Sequence, residues 1–400
     1  MAIGDIFSAS IEKIVRGGEG LAVVGGKKVF IPLSAPGDRL AARITEEHPR
    51  WARAEITALT EASLLRVEPR CPLFGSCGGC SLQHLSYHAQ ITAKKAILTE
   101  ALEHSGGAET LPECTVVPSP PWEYRNRLSF HAVRANSGPR CGFKARKSAG
   151  VIPVPDCPLA DPGIRSALEG LRPPPGKDRF TLYSRGETLL AEEGTGCSGG
   201  RGVPSRGTIT LLDREITLDA ACFFQSNAAV LEALIPVLRG AAEKAAETAG
   251  TAGAGRMADL YAGVGTFSLF LADLFPGGTD LLEVQGRSLN LAKENLRRIG
   301  GRAEKFRFFS LKDEDWAKKQ RLDRYAFAVA DPPRQGISPA LVRRLCETPP
   351  QVLAYVSCDP SSLARDYRIL KQSYTLEELW FFDFYPQIAH IESLGIFYRK

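Results

Sequence analysis

The 400-residue chain has no apolar run long enough to cross a bilayer as a helix, and its first residues lack the charged-then-apolar pattern of a secretory signal. The expectation is a cytoplasmic protein with no membrane partner. Strong charge of either sign is also missing: the net value is +5, a mild lean toward polyanions that selects no partner by itself. The glycine turn at Gly263 and Gly265 does not complete a G-x-G-x-x-G, since Ser268 stands at the third position, and this weakens a dinucleotide-binding reading. The length suits two or three domains.

Ten cysteines are present, and in a reducing compartment they do not read as a disulfide framework. Three of them fall together as Cys71-x5-Cys77-x2-Cys80, with Gly75, Gly78 and Gly79 between them. Glycine lets backbone wrap closely around an ion or cluster, so this spacing implies metal ligation. A fourth thiolate would come from Cys114, Cys141 or Cys157, and Cys157 lies in the stiff segment Pro153-Val-Pro-Asp-Cys-Pro158. Spacing alone does not separate zinc from iron–sulfur.

Residues 1–60 alternate short apolar strands with glycine turns at Gly17-Gly18, Gly25-Gly26 and Pro36-Gly37, the pattern of a small OB-like β-barrel. Gly17-Gly-Glu-Gly-Leu21, Val29-Phe-Ile-Pro-Leu33 and Pro36-Gly-Asp38 resemble the TRAM domain, a small RNA-binding barrel. Residues 61–220 read as a central α+β domain. There the strands Glu123–Phe130 and Gly142–Lys147 carry Arg125, Arg127, Lys144, Arg146 and Lys147, with Tyr124, Phe130 and Phe143 interleaved, which suits phosphate contact and base stacking.

Beyond the long Ala/Leu-rich helix after Asn227 and a flexible Ala249–Gly255 piece, the rhythm becomes strand, helix, strand, the signature of a doubly wound sheet. Residues 221–400 form this last domain. The first strand runs into Ala262-Gly-Val-Gly-Thr266, and the second ends at Glu283, an acid placed to accept both hydroxyls of a ribose. A turn with Gly263 and Gly265 but no third glycine favours S-adenosylmethionine, which needs no pyrophosphate cradle. Two buried parallel strands, Tyr325 to Ala330 and Val352 to Val356, then deliver Asp331 and Cys358 side by side to the carboxyl edge of the sheet. A cysteine between a strand end and a proline-restricted turn has the posture of a nucleophile.

Five motifs in order carry a resemblance over almost the whole chain: Phe223-Phe-Gln-Ser-Asn227, Asp259-Leu-Tyr-Ala-Gly-Val-Gly265, Asp331-Pro-Pro-Arg-Gln-Gly336, Tyr355-Val-Ser-Cys-Asp-Pro360 and Phe384-Tyr-Pro-Gln-Ile-Ala-His-Ile-Glu392. With the barrel and the cysteine cluster they resemble the uracil-C5 RNA methyltransferases. The resemblance implies a C-terminal Rossmann-like, class I S-adenosylmethionine methyltransferase domain in an α/β chain. It implies a [4Fe–4S] centre held by Cys71, Cys77, Cys80 and Cys157, and S-adenosylmethionine contacts from Gln225, Tyr261, Glu283 and Asp331. Cys358 would be the nucleophile and Glu392 the general base. Thr266 stands where relatives often carry Asn, and the Phe309–Asp313 strand end departs from the pattern, so no adenine contact is assigned there. The barrel together with the cluster leans toward 23S rRNA as partner and a monomeric protein. The alternatives are methylation of tRNA uridine-54 and a non-catalytic RNA-binding protein. A radical or redox role for the cluster is disfavoured, because no Cys-x3-Cys-x2-Cys occurs.

Overall fold

Short alternating segments of the N-terminal sixty residues can bury one face only by curving around a shared core, and they do. In the computed structural model, which describes residues 2–135, 138–197, 202–249, 255–298 and 305–400, six strands between Ile6 and Glu61 form one sheet. Its core is Ile11, Ala22, Val29, Ile31, Leu40, Ala42, Ile44, Ala52 and Ala54. Register shifts in the long pair Arg39–Glu47 and Trp51–Glu61 bend those strands around this core.

The central stretch builds an antiparallel sheet in the order Val151–Pro153, Gly138–Lys144, Arg127–Ala135, Arg179–Arg185 and Thr188–Ala191. A hairpin of Arg206–Leu211 and Arg214–Asp219 follows, turning at Leu212-Asp213. Leu212 takes up the positive φ of 52° that this tight turn needs.

The largest sheet has eight strands, ordered Phe306–Phe309, Thr279–Leu282, Arg256–Leu260, Tyr325–Ala330, Val352–Ser357, Glu392–Arg399, Tyr374–Phe382 and Cys114–Val117. The first five are parallel, and Glu392–Arg399 runs antiparallel to both neighbours. The expected α/β class with a doubly wound C-terminal sheet is the one observed. Sheet order reverses between Arg256–Leu260 and Tyr325–Ala330, so the crevice at their carboxyl ends is the ligand position of such a fold. The edge strand Cys114–Val117 comes from the stretch expected to be a separate central domain, and the helix Tyr87–Glu100 is pinned to the C-terminal region by a buried ion pair, Lys94 to Asp383 at 2.7 Å. The Ala249–Gly255 piece falls almost wholly outside the described residues, as do Gly300-Gly301, where the helix after Gly286 is expected to stop. Among the described residues no helix is long and apolar enough to cross a membrane.

Candidate active site

Pairing of Ala330 with Tyr355 brings two wholly buried strands into register, so Asp331 and Cys358 leave the sheet at the same edge. Cys358 is partly exposed. Behind it Asp359 caps the helix Pro360–Leu370, its Oδ1 accepting the Ser362 N–H at 2.9 Å, while Pro360 supplies a preset first turn. The Asp331–Gly336 turn folds back on that helix. Gly336 has φ 76°, and a Cβ there would lie 2.6 Å from Arg365 Nη2 and 2.7 Å from Asp366 Oδ2, so glycine is required.

One cavity of about 660 Å³ is lined by Gln225, Tyr261, Glu283, Asp331, Cys358 and Glu392 together. Gln225 donates from Nε2 to Asp331 Oδ2 at 3.2 Å. Glu283 accepts the Gly263 N–H at 3.0 Å and the Gln285 N–H at 2.7 Å, which fixes its carboxylate beside the glycine turn. Tyr261 holds φ 66°, a strained value for a tyrosine. Its hydroxyl donates to Asp313 Oδ2 at 2.6 Å, and the Ser338 N–H donates to the same oxygen at 3.0 Å. Asp313, Lys312 and Leu311 line the cavity although no contact is expected there from the sequence. Asp313 opens a helix four residues past the strand end, which hides it from motif reading. Arg334, Tyr385 and His390 are further cavity residues that the motifs contain without marking.

The cavity is rich in carboxyl groups. Burial, then Asp259, raises the Asp331 carboxyl to about 7, with Gln225 opposing. Burial, then Asp331, holds Glu392 well above the usual carboxylic range. Burial, then Glu392 and Asp331, pushes the Cys358 thiol up to about 12, and Arg334 opposes this. Arg334 donates to His390 Nε2 at 2.7 Å, and burial with that guanidinium lowers the imidazole to about 4, leaving it neutral. A neutral base and a ligand cation both suit such a space.

A second cavity, of about 410 Å³, adjoins the first and shares Phe223, Arg334, Tyr385 and His390 with it. Cys71, Cys77, Cys80 and Cys157 all line it, and all four thiols are free. Burial raises Cys80 to about 12 and also raises Cys77 and Cys157. Cys114, Cys141, Cys197, Cys222 and Cys346 do not line it. Among the described residues no group of three or more His, Cys, Asp or Glu is placed to hold a metal ion.

Arg125, Arg127 and Lys144 also face this second cavity. The interleaved aromatics do not serve as a stacking surface: Phe130 and Tyr124 are buried core, and Phe130 stacks on Phe143 at 4.9 Å. Aromatic alternation marks the buried face of the sheet here. The exposed ring is Phe223, with the Arg127 guanidinium 5.4 Å from its centroid. Lys147 pairs with Glu55 of the barrel.

Residues 207–400 match the family model for tRNA (uracil-5-)-methyltransferase, and residues 2–57 match the TRAM domain. A Treponema denticola protein described as an uncharacterized RNA methyltransferase is 32% identical, over 97% of this chain and 98% of its own. The 23S rRNA (uracil(1939)-C(5))-methyltransferase of an Azoarcus species is 30% identical, over 98% of this chain and 99% of its own. The crystal structure of Pyrococcus abyssi tRNA (uracil-54, C5)-methyltransferase in complex with S-adenosyl-L-homocysteine superposes with a TM-score of 0.72, covering 98% of this chain and 100% of that one. At 22% identity this last likeness concerns the fold.

Proposed function

The chain belongs to the RNA uracil-C5 methyltransferases, and from that premise we propose how its side chains divide the work of methylating a uridine at C5. One observation carries the assignment. Cys358 and Glu392 face the same cavity as Gln225, Tyr261, Glu283 and Asp331, which lie along the crevice where the sheet order reverses.

C5 of uracil is too weak a nucleophile to accept a methyl group unaided. Cys358 Sγ bonds to C6, the C5–C6 double bond opens, and the electron pair passes into an enolate that makes C5 nucleophilic. S-adenosylmethionine, when bound, supplies a sulfonium cation and the methyl group. The carboxyls around Cys358 disfavour its thiolate, so a cation in the cavity and Arg334 both act to restore it. Once C5 carries the methyl group, its remaining proton must go. Glu392, made strongly basic by burial, takes that proton; the C5–C6 double bond re-forms and the Cys358–C6 bond breaks. Glu283 and Gln225 orient the ligand, and Tyr261 with Asp313 closes the far wall.

The four cavity cysteines are proposed as the ligands of a [4Fe–4S] cluster with a structural or RNA-orienting role. What supports the reading is that these four thiols line one cavity, whereas Cys114, Cys141, Cys197, Cys222 and Cys346 do not line it. Gly78 permits the close wrap, since a Cβ there would lie 2.9 Å from the Lys144 carbonyl oxygen. A target uridine must be swung out of folded RNA at a cost of a few kcal/mol, and Arg125, Arg127, Lys144 and the barrel supply phosphate contacts to offset it.

The proposed substrate is 23S rRNA, modified in the cytoplasm by a monomer. The whole-length match to the Azoarcus rRNA enzyme supports that choice over tRNA. Mass mapping of 5-methyluridine in rRNA and tRNA from a deletion strain tests it. Loss of one rRNA site with tRNA unchanged is expected; loss of the tRNA modification alone would reverse the choice.

A further inference from the structure

The turn that carries Cys358 is held from two directions. Asp359, the next residue, is 7% exposed and divides its carboxylate. Oδ1 caps the helix Pro360–Leu370, and Oδ2 accepts a hydrogen bond from Arg16 Nη2 at 2.5 Å. Arg16 belongs to the N-terminal barrel, in the turn between Lys13–Ile14 and Glu19–Val24.

That barrel turn also reaches the segment leading to Glu392. Gly18 has φ 82°, and a Cβ there would stand 2.9 Å from the Ala389 Cβ and 3.1 Å from Ser81 Oγ. Ser81 Oγ in turn accepts the Ala389 N–H at 3.0 Å. The Ser81 and Leu82 N–H groups both donate to the Gln387 carbonyl, at 3.1 and 3.0 Å. Ile14 is buried in one cluster with Leu82, Leu85 and Ala89. A single turn of the barrel therefore touches the chain beside the nucleophile and the chain just before the base.

We propose that Arg16 is a positioning residue for methyl transfer, anchoring Asp359 and setting the charge around Cys358, so that the barrel contributes to the chemical step as well as to holding RNA. This rests on the reading of Cys358 as the nucleophile. Glu392, Asp331, Asp359 and Tyr385 face the thiol from the catalytic domain, with Arg334 as the opposing cation. Arg16 is a second cation, reaching the same place from another domain and neutralising the nearest acid in sequence. Without it, Asp359 Oδ2 loses its hydrogen-bond partner and its charge bears fully on the thiolate. The Arg16 side chain is 63% exposed, so solvent screening keeps the expected effect to about two- to fivefold.

The test uses the full-length protein with Arg16→Ala, Arg16→Lys and Arg16→Glu. Iodoacetamide alkylation of Cys358, followed by peptide mass spectrometry across a pH series without RNA, reads the thiolate directly. Covalent adduct formation with a 5-fluorouridine RNA, at saturating RNA, reads the chemical step. Arg16→Ala should move the alkylation curve to higher pH and slow adduct formation by about two- to fivefold. Arg16→Lys should recover most of the loss, and Arg16→Glu should deepen it. An unchanged alkylation curve with weaker RNA binding would overturn the proposal and make Arg16 a phosphate contact. A fall in rate that tracks a lower melting temperature and is not rescued by lysine would overturn it as well. If a Cys358→Ala protein still forms the adduct, the nucleophile assignment fails, an outcome distinct from either of these.

Discussion

Replacing Asp331 by asparagine separates charge from shape at the cofactor end of the cavity. Its carboxyl is raised from an ordinary 3.8 to about 7, by burial first and Asp259 second. At about 1.4 kcal/mol per tenfold change, ionising it in the empty cavity costs at most about 4 kcal/mol more than in water, less where solvent reaches its cavity-facing edge. A sulfonium cation favours the ionised form, so affinity is greatest above pH of about 7 and is lost as pH falls through that value. Between pH of about 7 and 5.5 the affinity for S-adenosylmethionine should fall about fifteenfold. S-adenosylhomocysteine, which lacks the positive sulfur, should change much less. Calorimetric titration of both ligands across that range gives their affinity ratio, in which the shared adenosine and amino-acid contacts cancel. Asp331→Asn should lower the ratio and remove its pH dependence. A wild-type ratio that is flat with pH would refute the reasoning.

Anaerobically purified protein should carry about four irons per chain; Cys157→Ser should lose them and Cys141→Ser should not, as metal analysis would show. Replacing Arg125, Arg127 and Lys144 by alanine should weaken RNA binding and flatten its salt dependence without changing cofactor affinity, and an unaltered salt slope would remove them from the interface. Lys94→Met should destabilise the fold by about 3–5 kcal/mol, because it strands Asp383 in a site where the two side chains are 1% and 0% exposed. Adding Asp383→Leu should restore most of that loss in urea unfolding.

The chemical edge is legible in sequence because buried parallel strands leave little freedom. Tyr325–Ala330 and Val352–Ser357 are buried throughout, and whatever follows them must emerge at the same rim. Glu283 and the glycine turn are legible for the same reason. Three features are not. Cys114–Val117 is four residues long, too short for a periodic signal, and joins the sheet only because Tyr374–Phe382 offers an edge. Tyr124 and Phe130 sit among arginines in sequence, yet strand alternation sends their rings into the core and the cations the other way. The contacts Tyr261–Asp313 and Arg16–Asp359 join residues 52 and 343 apart, and no local pattern encodes such a meeting.

The central claim is that Cys358 adds to uracil C6 and Glu392 acts only after the methyl group has moved, so the two variants should fail at different stages. With RNA and methyl-labelled S-adenosylmethionine, Glu392→Gln should add, transfer the methyl group and stall, since the C5 proton cannot leave and elimination is blocked. It should accumulate a labelled protein–RNA species that survives denaturing electrophoresis. Cys358→Ala should bind both ligands and form no such species. A covalent, labelled adduct in Cys358→Ala, or normal turnover by that variant, would contradict the account.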